Sequence, residues 1–227
     1  MDDKTMQGWL GFWEKKTLPW HNDDVHEAIE KHHEILMTSP TAKNKIFIPL
    51  CGKTVDIKWL ADRGNEVVGL EASEIAVKDF FTEQNIEYTS EDAPAVKGKL
   101  YRSTDNKIKV YCCDLFLFSA EIESGFSGIW DRGSLVAISP ANQKRYIELI
   151  KTLIHPGIGY LLEMPDRDPS KGDPNKGPFC ISFGNLQEGF GPDCSVTKLC
   201  AVEKLLPKMI QHAPSIKGIN VLRLTFR

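Results

Sequence analysis

The sequence predicts an α/β fold with a doubly wound, mostly parallel seven-stranded sheet and an antiparallel edge. The first observation is that a β-branched run, KIFIPL, is followed by a helical pattern and then by a second apolar run. The second is that strand-like and helix-like segments keep alternating until about residue 164. The third is that the last two strand-like runs have no long helix between them. Alternation is typical of a parallel sheet, and two such closing strands indicate an antiparallel edge.

The first β-α-β unit lies between residues 43 and 71. Residues 43–50 form the first predicted strand, whose nearly continuous apolar run indicates burial on both faces. Residues 56–63 have apolar positions at helical spacing, and Gly64 follows where a helix would end. Residues 66–70 are strand-like again. Because such crossovers are right-handed, the two strands are predicted to be parallel neighbours.

The remaining elements are predicted by the same signals. Residues 72–85 indicate a helix, with Ser73 as its N-cap and Glu74 complementing the helix dipole. A second helix is expected to end before Pro156-Gly157. The other predictions are strands over 108–113, 125–131 and 158–164, a loop at 114–116, a helix over 142–154, a surface loop over 166–177 and closing strands over 196–203 and 219–227.

Composition limits the classes of function. The 227 residues fit one α/β domain of ~200–250 residues, so a single domain spanning residues 1–227 is expected. A net charge of −3 without a basic stripe argues against nucleic acid as a partner. Residues 1–20 lack the apolar core of a signal peptide, and no apolar run approaches the ~20 residues of a membrane span. We therefore expect a soluble, cytoplasmic protein that contacts no membrane and acts as a monomer.

The cysteines indicate neither a disulfide scaffold nor a metal site. Six cysteines in 227 residues are too sparse for a disulfide framework, which favours a reducing cytoplasm. The adjacent pair Cys112-Cys113 lacks the spacing of a zinc ligand pair. We therefore expect no bound metal, and we interpret Cys51, Cys112 and Cys113 as small buried hydrophobes.

The loops after the first two strands are the first candidate site, because ligands of doubly wound sheets bind at the carboxyl ends of the strands. Gly52 follows the first strand and permits close backbone approach, and Glu71 ends the second strand. Cys51 and Glu71 are separated by ~20 residues, the separation at which an acidic residue contacts a ribose in nucleotide-binding β-α-β units. An ordinary β-α-β unit explains this spacing equally well. The turn has one glycine and lacks G-x-G-x-x-G, so a nucleoside without pyrophosphate, such as S-adenosylmethionine, fits better than a dinucleotide.

Two later positions fall on the same edge of the predicted sheet. Asp114 follows a strand, where it would accept a hydrogen bond from an adenine amino group or simply cap its own loop. Arg132 follows another strand, where it would hold a carboxylate or a polarised substrate or else be a salt-bridged surface residue. Both alternatives stay open from these residues alone.

At this point the sequence resembles a known family. The segments IFIPLCGKTVDIKWLADRGNEVVGLEAS, DFFTEQN, VYCCDLF and IWDRGSLVAISP are similar, in order and spacing, to the thiopurine S-methyltransferase family. The resemblance runs from Trp9 to about Pro178. It implies a Rossmann-like class I methyltransferase fold, S-adenosyl-L-methionine as methyl donor, S-adenosyl-L-homocysteine as product and a small thiol or thiopurine-like acceptor. It also implies an N-terminal lid and helix over residues 1–40 and a catalytic α/β core over residues 41–227.

The resemblance also implies roles for individual residues. The implied donor-binding residues are Trp9, Trp13, Lys16, Thr17, Leu50, Gly52, Glu71, Asp114, Leu115 and Arg132. The implied acceptor-binding residues are Trp20, Arg132 and Pro178, and Arg132 is the implied catalytic residue. Trp9 and Trp13 are four positions apart on one helical face, so packing into the core is the alternative explanation for them.

One departure leaves the acceptor open. Family members that act on thiopurines resemble one another in having a second arginine in a loop near the C-terminus. The corresponding stretch here, PKMIQHAPSIK (residues 207–217), has no arginine. Lys208, His212 and Lys217 are possible substitutes, but none offers a bidentate fork. The expected acceptor is therefore a thiol, or alternatively a selenium, tellurium or halide nucleophile. Outside methyl transfer, the alternatives are a nucleotide-dependent oxidoreductase and a non-catalytic ligand-binding protein.

Overall fold

The computed structural model describes residues 3–38, 43–168, 170–171, 176–202 and 205–227. Its strands are β1 (Lys45–Ile48), β2 (Glu66–Glu71), β3 (Tyr88–Ala93), β4 (Gly98–Ser103), β5 (Ile108–Cys112), β6 (Gly128–Arg132), β7 (Gly159–Arg167), β8 (Cys194–Ala201) and β9 (Ile216–Phe226). Its helices are α1 (Asp3–Glu14), α2 (Glu27–His32), α3 (Asp56–Asp62), α4 (Glu74–Glu83), α5 (Ser134–Ala137), α6 (Pro140–Leu153), α7 (Phe183–Phe190) and α8 (Pro207–His212).

The strands form one sheet in the order β3-β4-β5-β2-β1-β6-β7-β9-β8. Strands β5, β2, β1, β6 and β7 are parallel, while β9 runs antiparallel to both β7 and β8. Strands β2 to β5 all lie on one side of β1, and the chain then crosses to the other side of β1 to form β6. This reversal between β1 and β6 is the topological switch point, where doubly wound sheets bind their ligands.

The predicted fold class is confirmed, but the predicted number of strands is wrong. All seven predicted strands are present with end points shifted by a few residues, and the described residues contain nine. The two additional strands are the hairpin β3-β4, which pairs with β5 and forms a second antiparallel edge. Four of the six residues of β3 are exposed and polar, so this strand lacks the apolar pattern on which strand predictions depend.

Ser73 and Gly64 mark the start and the end of helices in the structure, as predicted. Ser73 caps α4, since its side-chain oxygen accepts a hydrogen bond from the Ala76 N–H at 3.3 Å. Gly64 follows α3 with a φ of 87°, a conformation that favours glycine. Helix α6 begins two residues earlier than predicted, at Pro140. Helix α7 was not predicted.

The late segments differ slightly from the prediction. Residues 166 and 167, expected in a surface loop, belong to β7 and pair with β9. The rest of that predicted loop includes residues 169 and 172–175, which lie outside the described residues, as does residue 203 of the predicted strand over 196–203. The short helix α8 lies between β8 and β9.

Helices cover both faces of the sheet, so β1 is buried on both faces, as predicted. Ile46 and Ile48 pack with residues of α2, α3 and α4, whereas Phe47 packs with residues of α6 and α7 on the opposite face. The segment that follows α2 lies so close to the sheet that a Cβ atom at Gly159 would overlap the carbonyl oxygen of Ile35. Across the described residues, no helix combines the length and apolarity that a membrane crossing requires.

Candidate active site

The turn after β1 opens the site at the switch point. Leu50 and Gly52 have φ angles of 42° and 54°, in the left-handed region that glycine adopts readily and leucine adopts at a cost. The Cys51 N–H donates to the Leu70 carbonyl oxygen at 2.9 Å, which ties the turn to β2. A Cβ atom at Gly52 would lie only 3.0 Å from Trp13 Cζ2. Both the backbone conformation and the neighbouring indole therefore favour glycine at this position.

Glu71 connects this turn to helix α4. Its Oε2 accepts a hydrogen bond from the Gly52 N–H at 2.9 Å, and its Oε1 accepts one from the Ser73 N–H at 2.8 Å. The carboxyl group is 6% exposed, and burial raises its pKa above the ordinary value, although these backbone hydrogen bonds oppose the shift. Each carboxylate oxygen can accept a second hydrogen bond, so the group can still receive donors from a ligand.

Aromatic side chains of the N-terminal segment cover this edge of the sheet. The Trp20 ring meets the rings of Trp9, Phe12 and Trp13 edge-on, at centroid distances of 5.1, 5.2 and 6.2 Å. Trp9 is also anchored, because its Nε1 donates to the Ala137 carbonyl oxygen at 3.1 Å. The rings therefore pack against one another, as the alternative of a packing role for Trp9 and Trp13 requires. Trp9, Trp13 and Trp20 nevertheless also line a cavity.

Arg132 lies in the cavity wall next to Trp20, at the end of β6. Its Nη2 donates to the Trp20 carbonyl oxygen at 3.1 Å, and its Nε lies 3.5 Å from Glu163 Oε2. The same Glu163 oxygen lies 3.0 Å from His26 Nε2. The Arg132 side chain is 15% exposed, so it is salt-bridged, but within the cavity wall and not on an open surface.

Asp131 holds the β6–α5 turn from beneath. Its Oδ1 accepts from the backbone N–H groups of Ser134 and Leu135 at 3.1 and 3.2 Å. Its Oδ2 accepts from the hydroxyls of Tyr146 and Tyr160 at 2.6 and 2.7 Å. The carboxyl is fully buried, and burial raises its pKa. Asp131 directly precedes Arg132 in the chain. By binding the N–H groups that follow Arg132, it therefore fixes the backbone of the turn on which Arg132 lies.

The cavity brings together eight of the predicted site residues. These are Trp9, Trp13, Trp20, Leu50, Gly52, Glu71, Arg132 and Pro178. The other four predicted residues do not line it. Lys16 and Thr17 are exposed beyond the end of α1, Leu115 is buried in the core, and Asp114 accepts from the Phe116 N–H at 3.1 Å in its own turn. In this structure Asp114 therefore makes the loop-capping contact that was its alternative explanation.

The cavity also includes residues that the sequence did not single out. His21 is 8% exposed, and its Nε2 lies 3.1 Å from Asp23 Oδ1. Burial first, and then the charges of Lys53, Arg132 and Lys208, hold the pKa of His21 below its ordinary value, although Asp23 opposes them. The sequence assigned no site role to His21 or Glu163, because each acquires its partners only through the fold.

The late stretch contributes mainly apolar side chains. His212 lines the cavity and meets the Phe12 ring edge-on at 5.2 Å, whereas Lys217 pairs with Asp168 at 3.6 Å. Of the three possible substitutes for the missing arginine, His212 is therefore the one that lines the cavity. The other late residues of the lining are Met209, Ala213, Ile216 and Ile219.

The cysteines offer no activated nucleophile. All six are free thiols, and burial raises the pKa of Cys51, the one that lines the cavity, well above its ordinary value. A neutral thiol is a poor nucleophile. Within the described residues, no group of three or more metal-ligating side chains is present.

Comparison with known proteins agrees with these features. A family model described as thiopurine S-methyltransferase matches residues 4–221. The thiopurine S-methyltransferase of Bos taurus is 37% identical over 201 residues, which cover 88% of this chain and 80% of that protein. A probable thiopurine S-methyltransferase of Danio rerio is 39% identical over 198 residues, covering 86% and 83%.

Solved structures support the fold. An N-methyltransferase of Bradyrhizobium japonicum, solved with S-adenosyl-L-homocysteine, superposes with a TM-score of 0.64 at 13% identity and covers 99% of each chain. The 1,6-didemethyltoxoflavin-N1-methyltransferase of Burkholderia thailandensis superposes with a TM-score of 0.62 at 12% identity, covering 98% of this chain and 88% of that one. At such low identity these neighbours show the shared fold alone.

Proposed function

Because the chain belongs to the thiopurine S-methyltransferase family, we propose that it transfers a methyl group from S-adenosyl-L-methionine to the sulfur of a small acceptor. The observation that carries this proposal is the position of Glu71. It accepts a hydrogen bond from the Gly52 turn at the switch point, in the cavity that the N-terminal tryptophans and Arg132 line.

The residues present fit a nucleoside donor without phosphates. Glu71 retains acceptor capacity on both oxygens for a pair of ribose hydroxyls. Leu50 and Gly52 line the cavity, and Gly52 contributes no side chain to it. The tryptophan rings suit a sulfonium cation, which an aromatic face attracts. A pyrophosphate would need the additional glycines that this turn lacks.

The chemistry requires alignment more than acid-base catalysis. When bound, S-adenosyl-L-methionine supplies a methyl group on a positively charged sulfur, so transfer to a thiolate neutralises both charges. The chain contributes a closed aromatic wall that excludes water and fixes the approach of the acceptor. Arg132 contributes N–H donors near the acceptor, and a hydrogen bond to the charged form favours the thiolate over the thiol. No protein nucleophile is required.

We assign the predicted site residues as follows. Trp9, Trp13, Leu50, Gly52 and Glu71 form the donor subsite, while Trp20, Pro178 and the catalytic residue Arg132 form the acceptor subsite. Their shared cavity supports this assignment. Donor contacts by Lys16, Thr17, Asp114, Leu115 and Arg132 stay predictions.

Other functions are less consistent with the cavity. A nucleotide-dependent oxidoreductase would need the absent G-x-G-x-x-G turn. A non-catalytic binding protein would not need Arg132 beside an acceptor subsite. A selenium, tellurium or halide acceptor remains the alternative within methyl transfer, because a soft nucleophile suits the same apolar walls.

A methylation assay tests the proposal. Purified protein and S-adenosyl-L-methionine are incubated with thiols, a thiopurine, a selenol and iodide, and S-adenosyl-L-homocysteine is quantified. We expect turnover with at least one small thiol and an acceptor product heavier by one methylene unit. Absence of turnover with every acceptor, despite donor binding, would favour the non-catalytic alternative.

Replacing Arg132 by alanine is expected to lower kcat/KM about 10-fold to 100-fold, since a charged hydrogen-bonding group at the acceptor is lost. Arg132→Lys keeps the positive charge but loses the bidentate guanidinium geometry, so its kcat/KM should lie between those of the wild type and Arg132→Ala. Thermal unfolding of each variant provides the control. If activity and stability fall in parallel, Arg132 is structural and the assignment is wrong.

We further propose that the chain is a single domain that acts as a cytoplasmic monomer without nucleic acid. One sheet that carries the cavity and helices on both of its faces support the single domain. The net charge of −3 supports the absence of a nucleic-acid partner, and the free thiols support the cytoplasmic location. Light scattering in solution would test the monomer, and limited proteolysis would test whether residues 1–40 separate from residues 41–227 as a lid.

A further inference from the structure

The acceptor end of the cavity contains a buried carboxylate that the proposed methyl transfer does not use. Glu163 lies on β7, lines the cavity and is 7% exposed. Its Oε2 lies 3.5 Å from Arg132 Nε and 3.0 Å from His26 Nε2. A carboxylate in this position changes the electrostatic field that an acceptor enters.

Glu163 is ionised in the folded protein. Burial alone would raise its pKa, but His26 and Arg132 together outweigh burial and hold the pKa of Glu163 below its ordinary value. The Nδ1 atom of His26 accepts from the Ala28 N–H at 3.2 Å, which holds the ring in place with its Nε2 atom 3.0 Å from Glu163 Oε2. At neutral pH, Arg132 therefore has a full negative charge beside it.

This pairing compensates the charge of Arg132. An acceptor with its own carboxylate would be attracted by the guanidinium and repelled by Glu163, so most of the attraction cancels. The other charged or titratable side chains of the lining do not replace it. Lys53 pairs with Glu83 at 2.6 Å, and His21 faces Asp23. His212 packs edge-on against the Phe12 ring, and Glu71 is itself a carboxyl group. The remaining wall near Arg132 is largely apolar, with Pro165, Pro178, Met209, Ile216 and Ile219.

We propose that Glu163 is a specificity-determining residue of the acceptor subsite, where it compensates Arg132 and thereby selects uncharged small thiols over thiols that bear a carboxylate. The proposal rests on the proposed S-methyltransferase function, because it specifies the acceptor class of that same site. It assigns Glu163 no part in the transfer step itself.

A pair of matched acceptors tests the proposal. Methyl 4-mercaptobenzoate and 4-mercaptobenzoate have the same aromatic thiol framework, but only the second carries a negative charge away from the sulfur at pH 7.5. With saturating S-adenosyl-L-methionine, we expect the wild-type protein to have a kcat/KM for the ester about tenfold higher or more. Equal values, or a preference for the carboxylate, would overturn the proposal.

The Glu163→Gln variant should remove this preference. We expect the ratio of the two kcat/KM values to fall at least about fivefold, mainly through a lower KM for 4-mercaptobenzoate. An unchanged ratio in a folded variant would also overturn the proposal. A purely structural role would instead lower activity towards both acceptors without changing their ratio.

Two control variants separate charge from structure. Glu163→Asp retains the negative charge and should retain the preference for the ester. Glu123→Gln removes a largely buried carboxylate that pairs with Lys45 and Lys109 outside the cavity, and it should leave the ratio unchanged. The wild-type ratio needs no substitution, so the proposal stays refutable even if Glu163→Gln does not fold. Failure of the proposed function would differ, since neither acceptor would then be methylated.

Discussion

Replacing Glu71 by glutamine is expected to weaken the binding of S-adenosyl-L-homocysteine by about 1.5–3 kcal/mol, or roughly 10-fold to 150-fold in Kd. The carboxylate accepts from the backbone N–H groups of Gly52 and Ser73, one on each oxygen. The amide has a single acceptor oxygen, and its NH₂ group would face a backbone donor. The turn and the ligand would then compete for one oxygen. Calorimetric titration of the folded variant measures the loss.

Ser73→Ala is the matched control for this substitution. It removes the side-chain cap of α4, which accepts from the Ala76 N–H at 3.3 Å, but leaves the Glu71 carboxylate in place. We expect a stability loss of about 1 kcal/mol and a change in Kd of less than about twofold. If Glu71→Gln bound the product as tightly as the wild type, Glu71 would be a residue that only organises the strand end.

The largest effect on stability is expected for Asp131→Ala. This change leaves the hydroxyls of Tyr146 and Tyr160 and two backbone N–H groups without the fully buried acceptor that they share. Unpaired buried donors each cost about 1–3 kcal/mol, and removing a buried carboxylate recovers part of its desolvation cost. We expect the free energy of unfolding to fall by about 3–5 kcal/mol, measured by urea denaturation.

Tyr160→Phe provides the comparison, because it removes one donor and leaves the acceptor satisfied by the others. Its expected cost is about 1 kcal/mol. Equal losses for Asp131→Ala and Tyr160→Phe would show that the carboxylate contributes no more than one ordinary hydrogen bond, contrary to the network described here.

The sequence predicted the centre of the sheet because local signals and the fold agree there. The buried run of β1, the Gly64 stop after α3 and the acidic end of β2 each have a local cause, and together they place Glu71 under the Gly52 turn. The family resemblance added the N-terminal tryptophans, which packing alone would have assigned to the core. Their contact with the cavity becomes visible only once α1 lies over the carboxyl edge.

The features that sequence reasoning missed depend on contacts between distant segments. Strand β3 is mostly exposed and polar, and in β4 the buried apolar residues Leu100 and Tyr101 are adjacent, so neither strand has an alternating apolar pattern. Glu163 lies in a buried strand, and its partner His26 precedes an N-terminal helix far away in the chain. Asp114 caps its own turn in the structure, and the ligand contact that the motif implies for it stays a prediction.

Titration calorimetry of the wild-type protein tests the central claim most directly, namely that the cavity beneath the tryptophans binds S-adenosyl-L-methionine through Glu71. S-adenosyl-L-methionine, S-adenosyl-L-homocysteine and NAD are titrated separately under the same conditions. We expect saturable binding of the first two with one site per chain, and no binding of NAD at the same concentrations. Tight binding of NAD without binding of S-adenosyl-L-methionine would contradict the account.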